Sequence, residues 1–137
     1  MPSAFDIPIG ATATRSIVVT HDLTVAHFHP DMPEVYGTPF MIYLMEVTSG
    51  EAIRLFLPPG WASVGTWVNV QHLSATPVGF TVTATSTVIA VDDQGITFAV
   101  TAHDGVDKIG EGTHRRVAVD LARFEKRMQM KKNSKPT

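Results

Sequence analysis

The sequence predicts an α+β domain in which an antiparallel sheet wraps around one long central helix. Two observations carry that expectation. A single helical stretch, from Pro39 to about Leu57, is apolar on nearly every side, and such a helix has to be enclosed. The residues after it switch to a period of two and supply four consecutive strand candidates joined by short turns, enough to curl around it.

The length, 137 residues, is that of a single domain, 1–137, with loosely ordered ends expected at 1–13 and 128–137. A chain this size hides roughly two thirds of the surface it would expose unfolded. With 44% hydrophobic and 18% charged residues it reads as globular and not as disordered. No apolar run approaches the ~20 residues of a membrane-spanning helix, so no membrane partner is expected. The start, Met1-Pro-Ser-Ala-Phe-Asp6, has neither a basic nor an apolar leader segment, so no signal peptide is expected and a cytoplasmic location is the default. A net charge of −2 argues against a nucleic-acid partner. The absence of cysteine removes disulfides, thiolate metal sites and a cysteine nucleophile together. Arg123, Lys126, Arg127, Lys131, Lys132 and Lys135 follow an acidic body. They read either as a solvated helix end or as a patch for the phosphates of a nucleotide-bearing substrate or a polyanion.

Taken in order, Ser16-Ile-Val-Val-Thr20 and Thr24-Val-Ala-His-Phe28 carry the β-branched and aromatic residues of two short strands. His29-Pro-Asp-Met-Pro-Glu-Val-Tyr-Gly37 holds two prolines and a glycine and reads as a long loop, the kind that forms lids. Thr38-Pro39 reads as a helix start, with Thr38 as N-cap and Pro39 at the first helical position. The helix stops at Pro58-Pro-Gly60. Strands are expected from about Ser63 to Leu73, Phe80 to Ala90, Thr97 to His103 and Arg115 to Leu121, with turn chemistry at Asp92-Asp-Gln-Gly95 and Asp104-Gly105. Arg123 to Lys132 adds a short terminal helix. This is the hotdog architecture. Its sheet has an open edge, which a second copy of the chain can cover, so a homodimer is expected.

Three residues stand out. Glu46 interrupts the apolar run Phe40–Val47, and burying a carboxylate is costly unless it is paired, neutralised or used. In a cavity it would favour its neutral form and serve as an acid–base group. His72 shares a strand face with Val70, Val68 and Thr66, where a histidine is either a hydrogen-bonded core residue or a catalytic one. Thr38 has capping work to do, and its position also places helix N-terminal amides near a developing oxyanion. Thr38 and Glu46 lie eight residues apart, ~12 Å along a straight helix, so they cannot touch there. Either the loop bends Thr38 inward, or the substrate spans the gap, or one group comes from a partner chain. His27 and His29 would share a strand face, but no third ligand follows at a motif spacing, and neither a metal nor a cofactor is expected.

The stretches Gly37-Thr-Pro-Phe-Met41, Leu44-Met-Glu46, Ser63-Val-Gly-Thr66, Val70-Gln-His72, Ala75-Thr-Pro-Val-Gly79 and Ala102-His-Asp-Gly-Val-Asp-Lys-Ile-Gly-Glu-Gly-Thr-His114 resemble the fluoroacetyl-CoA thioesterase-like family of hotdog proteins. The resemblance runs from about Tyr36 to Phe124. It implies hydrolysis of an acyl-CoA to the acid and CoA, with Thr38, Glu46 and His72 as the catalytic set and Gly65 beside the acyl group. It also places Met32 and Tyr36 at the substrate, in the loop where fluoroacetate-selective members carry gating phenylalanines. Here that loop reads His29-Pro-Asp-Met-Pro-Glu-Val-Tyr36, so a broader or different short acyl group is expected. Two other functions fit the same scaffold: an acyl-CoA hydratase or dehydratase using Glu46 and His72 as proton carriers, and a non-catalytic binder of acyl-CoA or another small ligand.

Overall fold

The computed structural model describes residues 5–136. Residues 1–4 and 137, on which the signal-peptide reading and part of the expected loose ends fall, lie outside the described residues. Five strands, β1 (Thr12–Val18), β2 (Trp61–His72), β3 (Thr81–Asp92), β4 (Gly95–His103) and β5 (Lys108–Asp120), form one antiparallel sheet in the order β1-β3-β4-β5-β2. Among the described residues there are three α-helical segments: α1 (Val25–Phe28), α2 (Thr38–Ile53) and α3 (Leu121–Asn133). The sheet curls so that α2 touches all five strands, which is the hotdog arrangement.

The core forms where the inward residues of the strands meet α2. β3 alternates strictly, with Val82, Ala84, Ser86 and Val88 buried, and β4 adds Ile96, Phe98, Val100 and Ala102. From α2 come Met41, Leu44, Met45, Ala52 and Ile53 at helical spacing. Buried Thr48 and Ser49 donate to the carbonyls of Leu44 and Met45, and Ser49 also meets Ser86 at 2.6 Å, so these hydroxyls are satisfied.

The helix is not enclosed all round, although its composition predicts that it should be. In a single chain Tyr43 is 66% exposed, and Glu46 and Val47 lie at the surface with it. Five strands cover one side of α2 and leave the other open. The N-cap also differs. Gly37 takes that place in an extended conformation, and Thr38 is the first helical residue with its hydroxyl free of capping.

Thr24–Phe28 is not a strand. Among the described residues its sheet-like pairing is limited to the single bridge Thr24–Tyr36, too little for a ladder. Val25 N donates to Val35 O, and His29 N closes onto Val25 O at 3.1 Å, so the segment coils into one helical turn with Ala26 buried and Phe28 outside. His27 and His29 therefore share no strand face, and His27 packs edge-on against His21 instead. β1 starts at Thr12, four residues before the expected strand, and Gly10 N donates to Val88 O. α3 carries residues 128–133, and Asp120 caps it by accepting from the amides of Ala122 and Arg123. β5 begins seven residues earlier than its sequence suggests. Gly110, which lies before the strand expected from the sequence, sits where a Cβ would lie 2.5 Å from Met41 Sδ, so the glycine lets α2 rest directly on the strand.

Candidate active site

Two clusters of polar side chains lie between α2 and β2. The first joins the start of α2 to the last residue of β2. Thr38 Oγ1 is 2.7 Å from His72 Nδ1, and a cavity of about 340 Å³ beside them is lined by Val25, Val35, Tyr36, Leu73, Ser74 and Ala75. Burial pulls the His72 pKa below its ordinary value, and the nearby Ser74 backbone opposes that. The imidazole is therefore neutral near pH 7 and able to accept a proton. Its other nitrogen, Nε2, is buried and has no hydrogen-bond partner among the described residues. Tyr36 is buried in the cavity wall, and burial pushes its phenol up to about 12, so it stays protonated. Met32 is 48% exposed on the preceding loop and does not line this cavity.

The second cluster surrounds Glu46, at the middle of α2. Its side chain is 35% exposed in a groove, where the sequence suggested burial. A Cβ added to Gly65 would lie 2.6 Å from Glu46 Oε2, so only glycine lets the strand approach the carboxylate this closely. Across the groove Arg116 places Nη1 4.0 Å from Glu46 Oε2 and donates to the Glu46 carbonyl oxygen at 3.3 Å. The guanidinium is fixed by Ser63, whose hydroxyl and carbonyl oxygens each accept from it at 2.8 Å. Arg116 Nη1 also lies 3.2 Å from Nε2 of buried His114. An arginine can only donate, so Nε2 is the acceptor and the proton sits on Nδ1, which donates to Trp67 O at 2.9 Å. His114 is thus neutral. Burial depresses its pKa; the Trp67 carbonyl opposes that, Arg116 reinforces it, and Glu46 opposes it.

A bulge in β2 puts both clusters on one face. Gly65 pairs with Arg116 and Trp67 with Arg115, so Thr66 is an extra residue between them. Gly65 and His72 differ in parity and would face opposite sides of a regular strand. The bulge returns Gly65 to the α2 side with Val68, Val70 and His72. Thr66 therefore leaves the face on which simple alternation had placed it, and its hydroxyl donates to Arg115 O at 3.2 Å.

The structure thus brings Thr38 to His72 and Glu46 to Gly65. It does not bring the two pairs together within one chain. The helix separates Thr38 from Glu46 by ~12 Å of axial rise. His114, Arg116 and Ser63 escaped the sequence reading. The usable signal was His114-x-Arg116, two polar residues at alternate positions of a strand whose neighbouring inward residue, Ala118, is apolar. Among the described residues no three His, Asp or Glu side chains converge to hold a metal, and no helix is long and apolar enough to cross a membrane.

A family model described as fluoroacetyl-CoA-specific thioesterase matches residues 19–122. The fluoroacetyl-CoA thioesterase of Streptantibioticus cattleyicolor is 40% identical over 129 residues, which is 90% of this chain and 93% of that protein. A solved structure of a fluoroacetyl-CoA thioesterase superposes with a TM-score of 0.84 at 39% identity, covering 90% of this chain and 96% of that one. A hypothetical Thermus thermophilus protein described as a thioesterase superfamily member also reaches 0.84, at 27% identity over 94% of this chain and 98% of its own. By fold, by sequence and by the span of the match, the chain belongs to the fluoroacetyl-CoA-specific thioesterase family.

Proposed function

We propose that the protein hydrolyses a short-chain acyl-CoA to the free acid and CoA, as a homodimer whose two sites each draw on both chains. The observation that carries the reading is the Thr38–His72 hydrogen bond together with the unpartnered, buried Nε2 of His72. With Nδ1 accepting from the Thr38 hydroxyl, Nε2 carries the proton and lacks an acceptor. A carboxylate at Nε2 would complete a hydroxyl–imidazole–carboxylate relay.

Glu46 of the same chain is on the wrong part of the helix to be that carboxylate. A second copy supplies one. β2 is an edge strand of the sheet, and its run Gly65–Asn69 is exposed. When a strand pairs antiparallel with its own copy, residues before the dyad face residues after it. A dyad between Trp67 and Asn69 sets His72 opposite a partner residue roughly between positions 62 and 66. That neighbourhood contains the partner's Gly65 and the partner's Glu46. The same pairing covers the open side of α2, where Tyr43 is exposed and Val47 half-buried.

In the reaction His72 takes a proton from the Thr38 hydroxyl, or from a water resting on it, as oxygen adds to the thioester carbonyl. The carbonyl then re-forms as the CoA thiolate leaves and is protonated. Where the Thr38 oxygen was the one that added, a water activated by His72 next adds to the acyl-threonine ester, and the acid leaves as the Thr38 hydroxyl is restored. Overall one water is consumed and one acid and one thiol are formed. The loop His29–Tyr36 carries Met32 in place of an aromatic gate, which supports a broader short-acyl preference than fluoroacetyl-CoA. An acyl-CoA substrate supports a cytoplasmic location.

Release of free thiol from a panel of short acyl-CoAs tests the reading. Hydrolysis by the wild type, lost in folded Glu46→Gln and His72→Ala, is the expected result. Hydration of an enoyl-CoA without thiol release, or tight binding without turnover, would replace it.

A further inference from the structure

The turn His103-Asp-Gly-Val-Asp-Lys108 lies in the most distinctive stretch of the sequence, yet neither polar cluster uses it. Asp104 in that turn is 5% exposed and Thr76 is fully buried. Asp104 Oδ1 accepts from the amides of Val106 at 2.9 Å and Asp107 at 2.8 Å, and Oδ2 accepts from the Thr76 hydroxyl at 2.8 Å. Burial works against the charge on Asp104, but the Asp107 and Val106 amides, the Thr76 hydroxyl and nearby His103 outweigh it and hold the carboxyl below its ordinary range. A buried carboxylate spends all these contacts on one tight turn and one threonine.

Thr76 stands where three segments cross. Its carbonyl accepts from Tyr36 N at 2.8 Å, and the next residue, Pro77, bridges to Val35. The stretch 73–77 is tied to the turn at two further points: Leu73 N donates to Ile109 O at 2.7 Å, and Ser74 Oγ to Asp107 Oδ2 at 3.3 Å. One of the joined segments leaves His72. Another enters Thr38 two residues after Tyr36.

We infer that Asp104 and Thr76 are positioning residues for the Thr38–His72 pair. The Thr76 carbonyl holds the segment before Thr38 through Tyr36 N, and the buried Thr76–Asp104 hydrogen bond anchors Thr76 itself to the turn, so that together they set the separation of hydroxyl and imidazole. The inference rests on the reading of that pair as the reacting hydroxyl and its base. Small misplacements of such groups cost rate out of proportion to the contact that was lost.

Thr76→Val keeps the shape of the side chain and removes the donor, and Thr76→Ser restores the donor. In Thr76→Val we expect kcat to fall on the order of 10- to 100-fold while KM stays within about threefold, with most of the rate recovered in Thr76→Ser. The His72 imidazole, followed by NMR titration, should move away from its wild-type pKa in Thr76→Val and return in Thr76→Ser. A folded Thr76→Val with wild-type kcat, a change confined to KM, or an unmoved His72 titration overturns the inference. If Thr76→Val does not fold, Asp104→Asn is judged by the same measurements, and failure of both to fold overturns it in favour of a purely structural role. If the wild type releases no thiol from any acyl-CoA, the functional reading fails, and the His72 titration alone decides whether Thr76 positions the pair.

Discussion

Thr38 Oγ1 and His72 Nδ1 meet at 2.7 Å across 34 residues of sequence, tying the first turn of the central helix to the end of the edge strand. The hydroxyl is free for this contact because Gly37, and not Thr38, caps the helix. Replacing His72 with Ala should lower kcat on the order of 10²- to 10⁴-fold, the usual contribution of a positioned base. Thr38→Val should lose most of the activity and Thr38→Ser should keep much more of it, since serine preserves the hydroxyl. Steady-state thiol release with circular dichroism as a folding control measures both. Equal activity in Thr38→Val and Thr38→Ser would leave the hydroxyl without a role.

A site assembled from two chains makes a quantitative claim about mixtures. Glu46→Gln and His72→Ala homodimers should each be inactive. Unfolded together and refolded in equal amounts, they form mixed dimers in which one site is intact and the other doubly damaged. Activity should recover to roughly a quarter of the wild-type value, half of the dimers carrying half of their sites. No recovery, despite mixed dimers detected by mass spectrometry, would place Glu46 and His72 of one chain in the same site.

The acid side of the pH profile follows from burial of His72, which holds its pKa below 6.5. The base form, and with it kcat/KM, should survive below that value and fall only as pH drops through the lowered pKa. Stability has the same sign. His72 and His114 bind protons less readily folded than unfolded, so their contribution is complete above 6.5 and is lost as pH falls from there through the lowered native values. Urea denaturation across this range, repeated on His114→Gln, should show a weaker loss in the variant. An acid limb at or above 6.5 would contradict the burial argument.

Gly65 offers a test of the other cluster. Alanine there places its Cβ 2.6 Å from Glu46 Oε2 and 3.0 Å from His114 Cε1. The carboxylate is at the end of a side chain and can swing away, so the fold should hold while the carboxylate leaves its place. Gly65→Ala should therefore lose at least about tenfold in kcat/KM, with an unfolding midpoint close to that of the wild type. Unchanged turnover would show that the position of the Glu46 carboxylate does not matter.

The helix and the sheet were legible in the sequence wherever local chemistry decides them. Thr38-Pro39 and Pro58-Pro-Gly60 bracket α2, and alternation marks β3 and β4. The failures have a tertiary origin. Gly110 lies before the expected strand until Met41 is seen to rest on it, and Thr24–Phe28 reads as a strand until its pairing is found to be the single bridge Thr24–Tyr36. In the site, Thr38, Glu46 and His72 were visible one by one through their chemistry and their family likeness. Their grouping was not, because it depends on a bulge at Thr66 that reverses the parity between Gly65 and His72. Arg116 and His114 were hidden by the same parity, since polar residues on a strand look solvent-facing until their partners across the sheet are known.

The loop from His29 to Glu34 contributes nothing to the sheet. Its backbone hydrogen bonds are local, such as Met32 N to His29 O, and beyond them it is pinned by the His21–Glu34 contact at 2.6 Å. The Thr38–His72 pair is held by other parts of the chain. Mutation can therefore lengthen, shorten or recompose this loop without moving the hydroxyl or the imidazole. Within one lineage of such proteins, this loop is free to drift from descendant to descendant while the Thr38–His72 pair is inherited intact.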